Sequence, residues 1–165
     1  MEYFAHSGKR GDRSDWQRLD EHALRVASAA AEFAGPFRME RVAYLAGLLH
    51  DLGKYTPAFQ ARLAGADAAV DHSTAGAAHV VELSARSPHD ALMAQCIAYC
   101  ILGHHAGLPD RLGSSGFDER IDRFRGDALR AVDPIWHEEL KPDGTALFPR
   151  DFRQASDRLH FQFAL

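Results

Sequence analysis

The sequence has few cysteines, no long apolar run and no excess of positive charge. Its two cysteines, Cys96 and Cys100, lie four residues apart in an apolar segment of one predicted helix. We therefore expect buried free thiols there, and neither a disulfide nor a cysteine metal site. No apolar stretch is long enough for a bilayer, and no charged segment followed by an apolar core opens the chain. A cytoplasmic protein is the expectation.

The overall charge also restricts the function. Lysine and arginine number 19 against 23 aspartates and glutamates, a formal charge of −4. This balance argues against a protein that binds nucleic acid through its overall charge, but a metal centre can supply local positive charge, so a nuclease is not excluded. A composition of 46% hydrophobic and 25% charged residues is typical of a globular protein. With no repeat, low-complexity tract or internal boundary, we expect one domain over residues 1–165.

Apolar residues recur at the three- and four-residue spacing of helices, and convincing strand alternation is absent. The expected fold class is therefore all-α, a helical bundle that follows a polar arm over residues 1–15. The predicted helices cover residues 15–34, 39–52, 57–64, 72–85, 87–102 and 117–132, and a last one begins near Pro149.

The pentapeptide His50-Asp51-Leu52-Gly53-Lys54 follows the apolar run 42–49. Neighbouring helical residues point about 100° apart, so its histidine and aspartate can face one site only where the helix ends. Its glycine is a natural C′ residue and predicts that end. A carboxylate at a helix C-terminus opposes the macrodipole, and a bound cation would reverse that cost. We interpret the pair as ligands of a divalent metal and the lysine as an anion contact; an exposed C-cap pair is the alternative.

Other histidines could join this site. His22 lies on the apolar stripe of the first predicted helix, where a core histidine with a backbone hydrogen bond is the alternative. His72 and Ser73 follow Asp71 at the start of a helix whose free amides could bind phosphate; a simple helix cap is the alternative there. The pair His104-His105 lies between two glycines that free the backbone to aim both rings inward, and a surface pair in a loop is the alternative.

The spacing of these residues favours a common site. Each interval between His22, His50, His72 and His104 can hold one antiparallel helix and a return. All of them can therefore lie at the same end of the bundle, where facing helices build metal sites. The series predicts a metal centre for phosphate ester chemistry.

Four longer motifs narrow the interpretation. They are Tyr3-Phe4-Ala5-His6-Ser7, Ala46-Gly47-Leu48-Leu49-His50-Asp51-Leu52-Gly53-Lys54, Val70-Asp71-His72-Ser73-Thr74-Ala75-Gly76 and Gly103-His104-His105-Ala106-Gly107-Leu108-Pro109-Asp110. Together they resemble the HD nuclease domain of the type I CRISPR-associated helicase-nuclease, within the HD superfamily of metal-dependent phosphohydrolases. The His50-Asp51 pair alone is common to the superfamily, whereas the combination of motifs is much narrower.

The resemblance implies an HD-domain helical bundle with two metals at one end. His22, His50 and Asp51 would hold one metal, and His72, His104 and His105 a second, with Asp51 bridging the two. Water activated between them would attack the DNA phosphodiester. Lys54 would neutralise a phosphate oxygen in the transition state, with Ser73 as a lesser contact. The expected metals are Mn, Fe, Co or Ni, with Mg also possible.

The resemblance also implies partners and leaves alternatives open. The expected partners are single-stranded DNA, a helicase domain or subunit and a CRISPR RNA-guided effector complex, in the cytoplasm of a prokaryote. The family pattern includes a further aspartate on a late helix, for which only Asp151 and Asp157 are candidates, and their polar neighbours indicate surface positions. A domain truncated at its C-terminus, with a weakened first metal site, therefore stays open. So do a nucleotide phosphohydrolase and an inactive module that binds a partner complex.

The remaining candidates have structural interpretations. We expect a structural role for His6 and an interior position for His79. Surface or partly buried positions are expected for His89, His137 and His160. Five arginines could form a basic edge for nucleic acid, but the acidic residues among them favour a solvated helix with internal ion pairs; they are Arg111, Arg120, Arg123, Arg125 and Arg130. Trp16, Tyr55 and Phe59 could stack on bases, although core or rim packing is favoured.

Overall fold

The computed structural model describes residues 2–84, 87–105, 107–124 and 131–148. These ranges contain seven α-helices, which confirms the all-α expectation for most of the described chain. They are α1 (Leu19–Ala34), α2 (Glu40–Leu49), α3 (Pro57–Leu63), α4 (Ser73–Leu83), α5 (Pro88–Gly103), α6 (Phe117–Arg123) and α7 (Trp136–Leu140). Short 3-10 helices follow α1 at Gly35–Phe37 and α2 at Leu52–Tyr55. Among the described residues, no helix is both long enough and apolar enough to cross a membrane.

The expectation that strands are absent was wrong at the N-terminus. Strands β1 (Phe4–His6) and β2 (Gln17–Arg18) pair antiparallel, and α1 begins directly after β2 instead of at Asp15. The backbone amide of Leu19 donates to the carbonyl of Tyr3 at 2.9 Å, which ties the start of α1 to this ribbon. Strands of three and two residues are too short to show alternation in a sequence.

Gly53 does not end a helix in the way that the sequence indicated. Helix α2 stops at Leu49, and Gly53 lies inside the following 3-10 helix without a positive φ. Its amide donates to the carbonyl of His72 at 3.0 Å, and a Cβ on Gly53 would lie 2.5 Å from the His72 Cα. A glycine is needed here because two backbones meet, and this contact joins the end of α2 to the start of α4.

Helices α1, α2, α4 and α5 form the centre of the core. A Cβ on Gly47 of α2 would lie 2.8 Å from the Cα of Ala27 in α1, and one on Gly76 of α4 would collide with the carbonyl oxygen of Leu49. These small residues let the backbones cross closely. The largest wholly buried apolar side chains of the four helices are Leu19, Leu45, Leu48, Leu49, Val80, Ile97 and Ile101.

Helix α5 begins as its sequence signals predicted. The Ser87 hydroxyl accepts from the Asp90 amide at 3.4 Å, and Pro88 occupies the first helical position. The two cysteines of this helix are free, as expected, but they are not both buried. Cys96 is half-buried and Cys100 is exposed, because α5 turns its other face, with Ile97 and Ile101, into the core.

Some predicted features fall outside the described residues. Of the helix predicted over 117–132, the structure describes α6 (Phe117–Arg123), and residues 125–130 are outside the described ranges. Arg125 and Arg130 are not described, nor is the segment from Pro149 onward that carries Asp151, Asp157 and His160.

Candidate metal centre

The structure brings all six predicted metal ligands together around one buried carboxylate. Asp51 follows the end of α2 and is 4% exposed. The five histidines reach it from three other places as well as from α2: His22 lies on α1, His50 at the end of α2, His72 before α4, and His104-His105 after α5. The ends of the four core helices α1, α2, α4 and α5 therefore meet at one end of the bundle, as predicted.

The two oxygens of Asp51 face different histidines. Oδ2 lies 3.3 Å from the Nε2 atom of His22 and 3.1 Å from that of His50. Oδ1 lies 3.6 Å from the Nε2 atom of His72 and 3.7 Å from that of His104. The first group consists of His22, His50 and Asp51, and the second of Asp51, His72, His104 and His105; within each, the ligand atoms all lie within 4.8 Å of one another.

Two buried atoms of the second group lack hydrogen-bond partners in the described part of the chain, and a bound metal would satisfy them. Asp51 Oδ1 and His72 Nε2 are buried, and neither has a hydrogen-bond partner among the described residues. A buried polar atom without a partner is costly and calls for an explanation. Two donors bound to one ion at about 2.1 Å would lie about 3 to 3.5 Å apart. The observed spacing of 3.6 Å is close to that value, so these residues fit a divalent metal.

Backbone carbonyls orient two of the histidine rings. The Nδ1 atom of His50 lies 2.7 Å from the carbonyl oxygen of Gly47, and that of His104 lies 2.6 Å from the carbonyl oxygen of Ile101. A ring that donates its Nδ1 hydrogen to a carbonyl presents Nε2 as the free nitrogen, the arrangement typical of histidine metal ligands. In both rings it is Nε2 that faces Asp51.

The electrostatics keep Asp51 and His72 in the forms that bind metal. Burial alone would raise the pKa of Asp51, but the neighbouring imidazoles of His104, His22 and His50 outweigh it and hold the pKa well below its usual range. Burial lowers the pKa of His72 to about 4. At neutral pH the carboxylate is therefore charged and this imidazole neutral, as metal binding requires.

Lys54 contacts the protein itself. Its Nζ atom lies 2.9 Å from Asp51 Oδ2 and donates to the carbonyl of Ala5 at 3.1 Å, and the residue is only 5% exposed. The lysine therefore balances the charge of Asp51 and joins it to β1. Its predicted contact with a phosphate oxygen stays a prediction.

Ser73 and the first amides of α4 are likewise engaged by neighbours. The Asp71 carboxylate accepts from the amides of Ser73 and Thr74 at 3.0 and 3.1 Å. The prediction that these amides are free for phosphate was wrong, and the helix-cap alternative is correct. The Ser73 hydroxyl contacts Asp71 and Arg120, so its role toward substrate stays a prediction. Burial raises the pKa of Asp71, but the hydrogen bonds from Thr74 outweigh it and lower the pKa.

The other candidates mostly have the structural positions that the sequence favoured. Tyr55 and Phe59 are buried, and the Tyr55 hydroxyl donates to Glu139 at 2.7 Å. His79 packs on Trp136, with ring centroids 4.7 Å apart. His6 is outside both ligand groups, although its ring lies 4.9 Å from that of His22.

Sequence reasoning offered a helix cap at Asp71 as the alternative, but it misplaced Arg120. An aspartate two residues before Ser73-Thr74 is a recognisable capping signal. Arg123 does pair with Glu119 along α6 at 2.9 Å, as expected. Arg120 instead reaches Thr74, which is 46 residues away in sequence. Nothing local in the sequence could have indicated that contact.

A comparison with protein families agrees with this geometry. The model of the HD domain matches residues 19–132, more than half of the chain. This chain belongs to the HD domain family. HD domains are generally metal-dependent phosphohydrolases that bind divalent metals, which agrees with a histidine and aspartate cluster that could hold a metal. No curated protein matches this HD domain at a significant level.

Proposed function

We propose that this HD domain is a divalent-metal-dependent nuclease that hydrolyses phosphodiester bonds of single-stranded DNA in CRISPR interference. The observation that carries the proposal is the division of the Asp51 oxygens between two histidine groups. A carboxylate placed between two metals is suited to phosphoryl transfer, because the attacking and leaving oxygens both need charge stabilisation.

The chain's own residues hold the site in a reactive form. When bound, the metals would activate water and neutralise charge on the phosphate. Asp51 remains ionised, the carbonyls of Gly47 and Ile101 orient two rings, and Lys54 fixes the carboxylate through its ion pair with Oδ2. Hydrolysis consumes one water and releases a phosphate monoester and a hydroxyl.

The surroundings of the second group suit an extended substrate. His105 is exposed, and the loop that follows carries Leu108 and Leu112, which are 74% and 75% exposed. The side chain of Arg111 between them is 70% exposed. Apolar side chains can contact bases and a cation can contact phosphates, so this loop offers both kinds of contact beside the metal ligands.

Recruitment by a partner is part of the proposal. With a formal charge of −4, the chain would attract DNA only weakly by itself. A helicase domain or subunit and a CRISPR RNA-guided effector complex would deliver the single strand, as the four sequence motifs suggest. Because imidazole ligands dominate both groups, Mn, Fe, Co or Ni are favoured over Mg.

The test compares DNA with nucleotides as substrates. Metal-free protein is supplied with Mn²⁺, Co²⁺, Ni²⁺ or Fe²⁺ and assayed on circular single-stranded DNA beside a nucleotide panel. We expect DNA cleavage that is lost, by at least about a hundredfold, in Asp51→Ala. The matched control is Asp67→Ala, an exposed aspartate in the loop after α3, which should retain activity.

Two outcomes would contradict the nuclease proposal. Hydrolysis of nucleotides without DNA cleavage would indicate a nucleotide phosphohydrolase that uses the same centre. No activity with any metal, together with less than one bound metal per chain, would indicate an inactive module that binds a partner complex.

A further inference from the structure

Arg120 lies on α6, outside both ligand groups, yet it contacts the two segments that carry the second group. Its side chain is 23% exposed, whereas that of Arg123 on the same helix is 70% exposed. Arginine has five N–H donors in a rigid planar arrangement. The acceptors that surround Arg120 come from the start of α4 and the end of α5.

The first set of contacts holds the turn that contains His72. Nε and Nη2 donate to Thr74 Oγ1 at 3.1 and 2.8 Å. Nη2 also donates to Ser73 Oγ at 2.9 Å and to Asp71 Oδ2 at 3.2 Å. Residues on both sides of His72 are therefore fixed to one guanidinium.

The second contact reaches the segment that carries His104. Nη1 donates to the carbonyl oxygen of Leu102 at 3.4 Å. The last carbonyls of a helix lack partners within it, and a cation there is favourable. Leu102 precedes His104 by two residues and directly follows Ile101, whose carbonyl orients the His104 ring.

We propose that Arg120 is a positioning residue that sets the spacing of His72 and His104 around Asp51 Oδ1 and thereby the metal affinity of the second group. The inference rests on the metal centre of the proposed function. The two Nε2 atoms lie at nearly equal distances from Oδ1, 3.6 and 3.7 Å. Because the Arg120 side chain joins the backbone segments that carry His72 and His104, it keeps these two distances nearly equal.

The contacts argue against a role for Arg120 in binding DNA. Its donors already have four acceptor residues, Asp71, Ser73, Thr74 and Leu102. A phosphate would have to displace several of these charge-assisted hydrogen bonds.

The test measures metal binding without any DNA. Metal-free wild type, Arg120→Gln, Arg120→Lys and the control Arg123→Gln are titrated with Mn²⁺ by calorimetry and with Co²⁺ by visible absorption. Loss of a residue that supports metal ligands typically weakens metal affinity by about 10- to 100-fold. In Arg120→Gln we expect a loss of that size in the affinity of the binding event that His104→Ala removes. The affinity of the event that His22→Ala removes should change by less than about twofold. Arg123→Gln should match the wild type.

The conservative variant separates positioning from folding. Arg120→Lys keeps a charge but not the planar set of donors, so part of the affinity should return. Unchanged metal binding in Arg120→Gln would overturn the inference. An equal loss of both binding events in Arg120→Gln and Arg120→Lys, with a lower unfolding midpoint, would also overturn it, because that pattern indicates general destabilisation.

The result is independent of the nuclease proposal. A selective loss of metal affinity in a protein that never cleaves DNA would support the role of Arg120 and contradict only the nuclease. DNA cleavage by the wild type, together with unaltered metal binding in Arg120→Gln, would support the nuclease proposal and contradict the role of Arg120.

Discussion

Asp51 is a buried carboxylate whose two oxygens have different surroundings. Oδ2 has the Lys54 ammonium at 2.9 Å, whereas Oδ1 has no hydrogen-bond partner among the described residues. An ion beside Oδ1 would meet a free oxygen, and an ion beside Oδ2 would be repelled by the nearby ammonium. We therefore expect the group that contains His72 and His104 to bind metal more tightly than the group that contains His22 and His50.

His79 provides a pH test at the residue scale that is separate from the metal ligands. It lies on α4 and faces Trp136 and His137 of α7. Burial, and to a lesser degree the charge of His137, lower the pKa of His79 to about 4. Because an imidazole titrates near 6.5 when unfolded, the stability that this ring contributes is complete above about pH 6.5 and is lost as the pH falls through about 4.

His79→Gln should reduce the acid sensitivity of the metal-free protein. Between pH 6.5 and 4 the variant should lose less free energy of unfolding than the wild type, by on the order of 2 kcal/mol. Thermal unfolding followed by circular dichroism at several pH values measures this difference. The control is His89→Gln, since His89 is exposed. If the free energy of unfolding depended on pH in the same way in the wild type and in His79→Gln, the lowered pKa of His79 would be contradicted.

At the scale of elements, the contact between the 3-10 helix at Leu52–Tyr55 and the start of α4 holds the two ligand groups together. A Cβ on Gly53 would force the His72 backbone away from Asp51. Gly53→Ala should therefore cost about 1 to 3 kcal/mol of stability and also weaken the tighter metal-binding event. Thermal unfolding with and without Mn²⁺ measures both effects. Gly11→Ala is the matched control, because a Cβ there would meet nothing within 4 Å; equal behaviour of the two variants would exclude the close contact.

The sequence predicted helices well and their junctions less well. Periodic apolar residues and the Ser87-Pro88 start signal identify α5, because both are local properties. The β1–β2 ribbon was missed because its strands are too short to alternate. Donor types and spacing indicated the six candidate metal ligands, but which oxygen of Asp51 each histidine faces depends on how the helices pack. The contacts of Arg120 depend on tertiary structure in the same way.

At the scale of the whole molecule, the fold gathers six donor side chains from four separate places in the chain. Each helix contributes one or two of them at its end, and the close crossings at Gly47 and Gly76 bring those ends together. In the proposed nuclease, with a formal charge of −4, attraction for a phosphodiester would come from the bound metals and from partners. We therefore propose a two-metal centre that Asp51 bridges.

Metal titration of the metal-free chain tests this proposed two-metal centre. Calorimetry with Mn²⁺ on the wild type, His22→Ala, His104→Ala and Asp51→Ala counts the binding events and assigns each one. We expect two events in the wild type, loss of the weaker in His22→Ala, loss of the tighter in His104→Ala, and weakening of both in Asp51→Ala. A single event in the wild type, or loss of the same event in both histidine variants, would contradict a bridged two-metal centre.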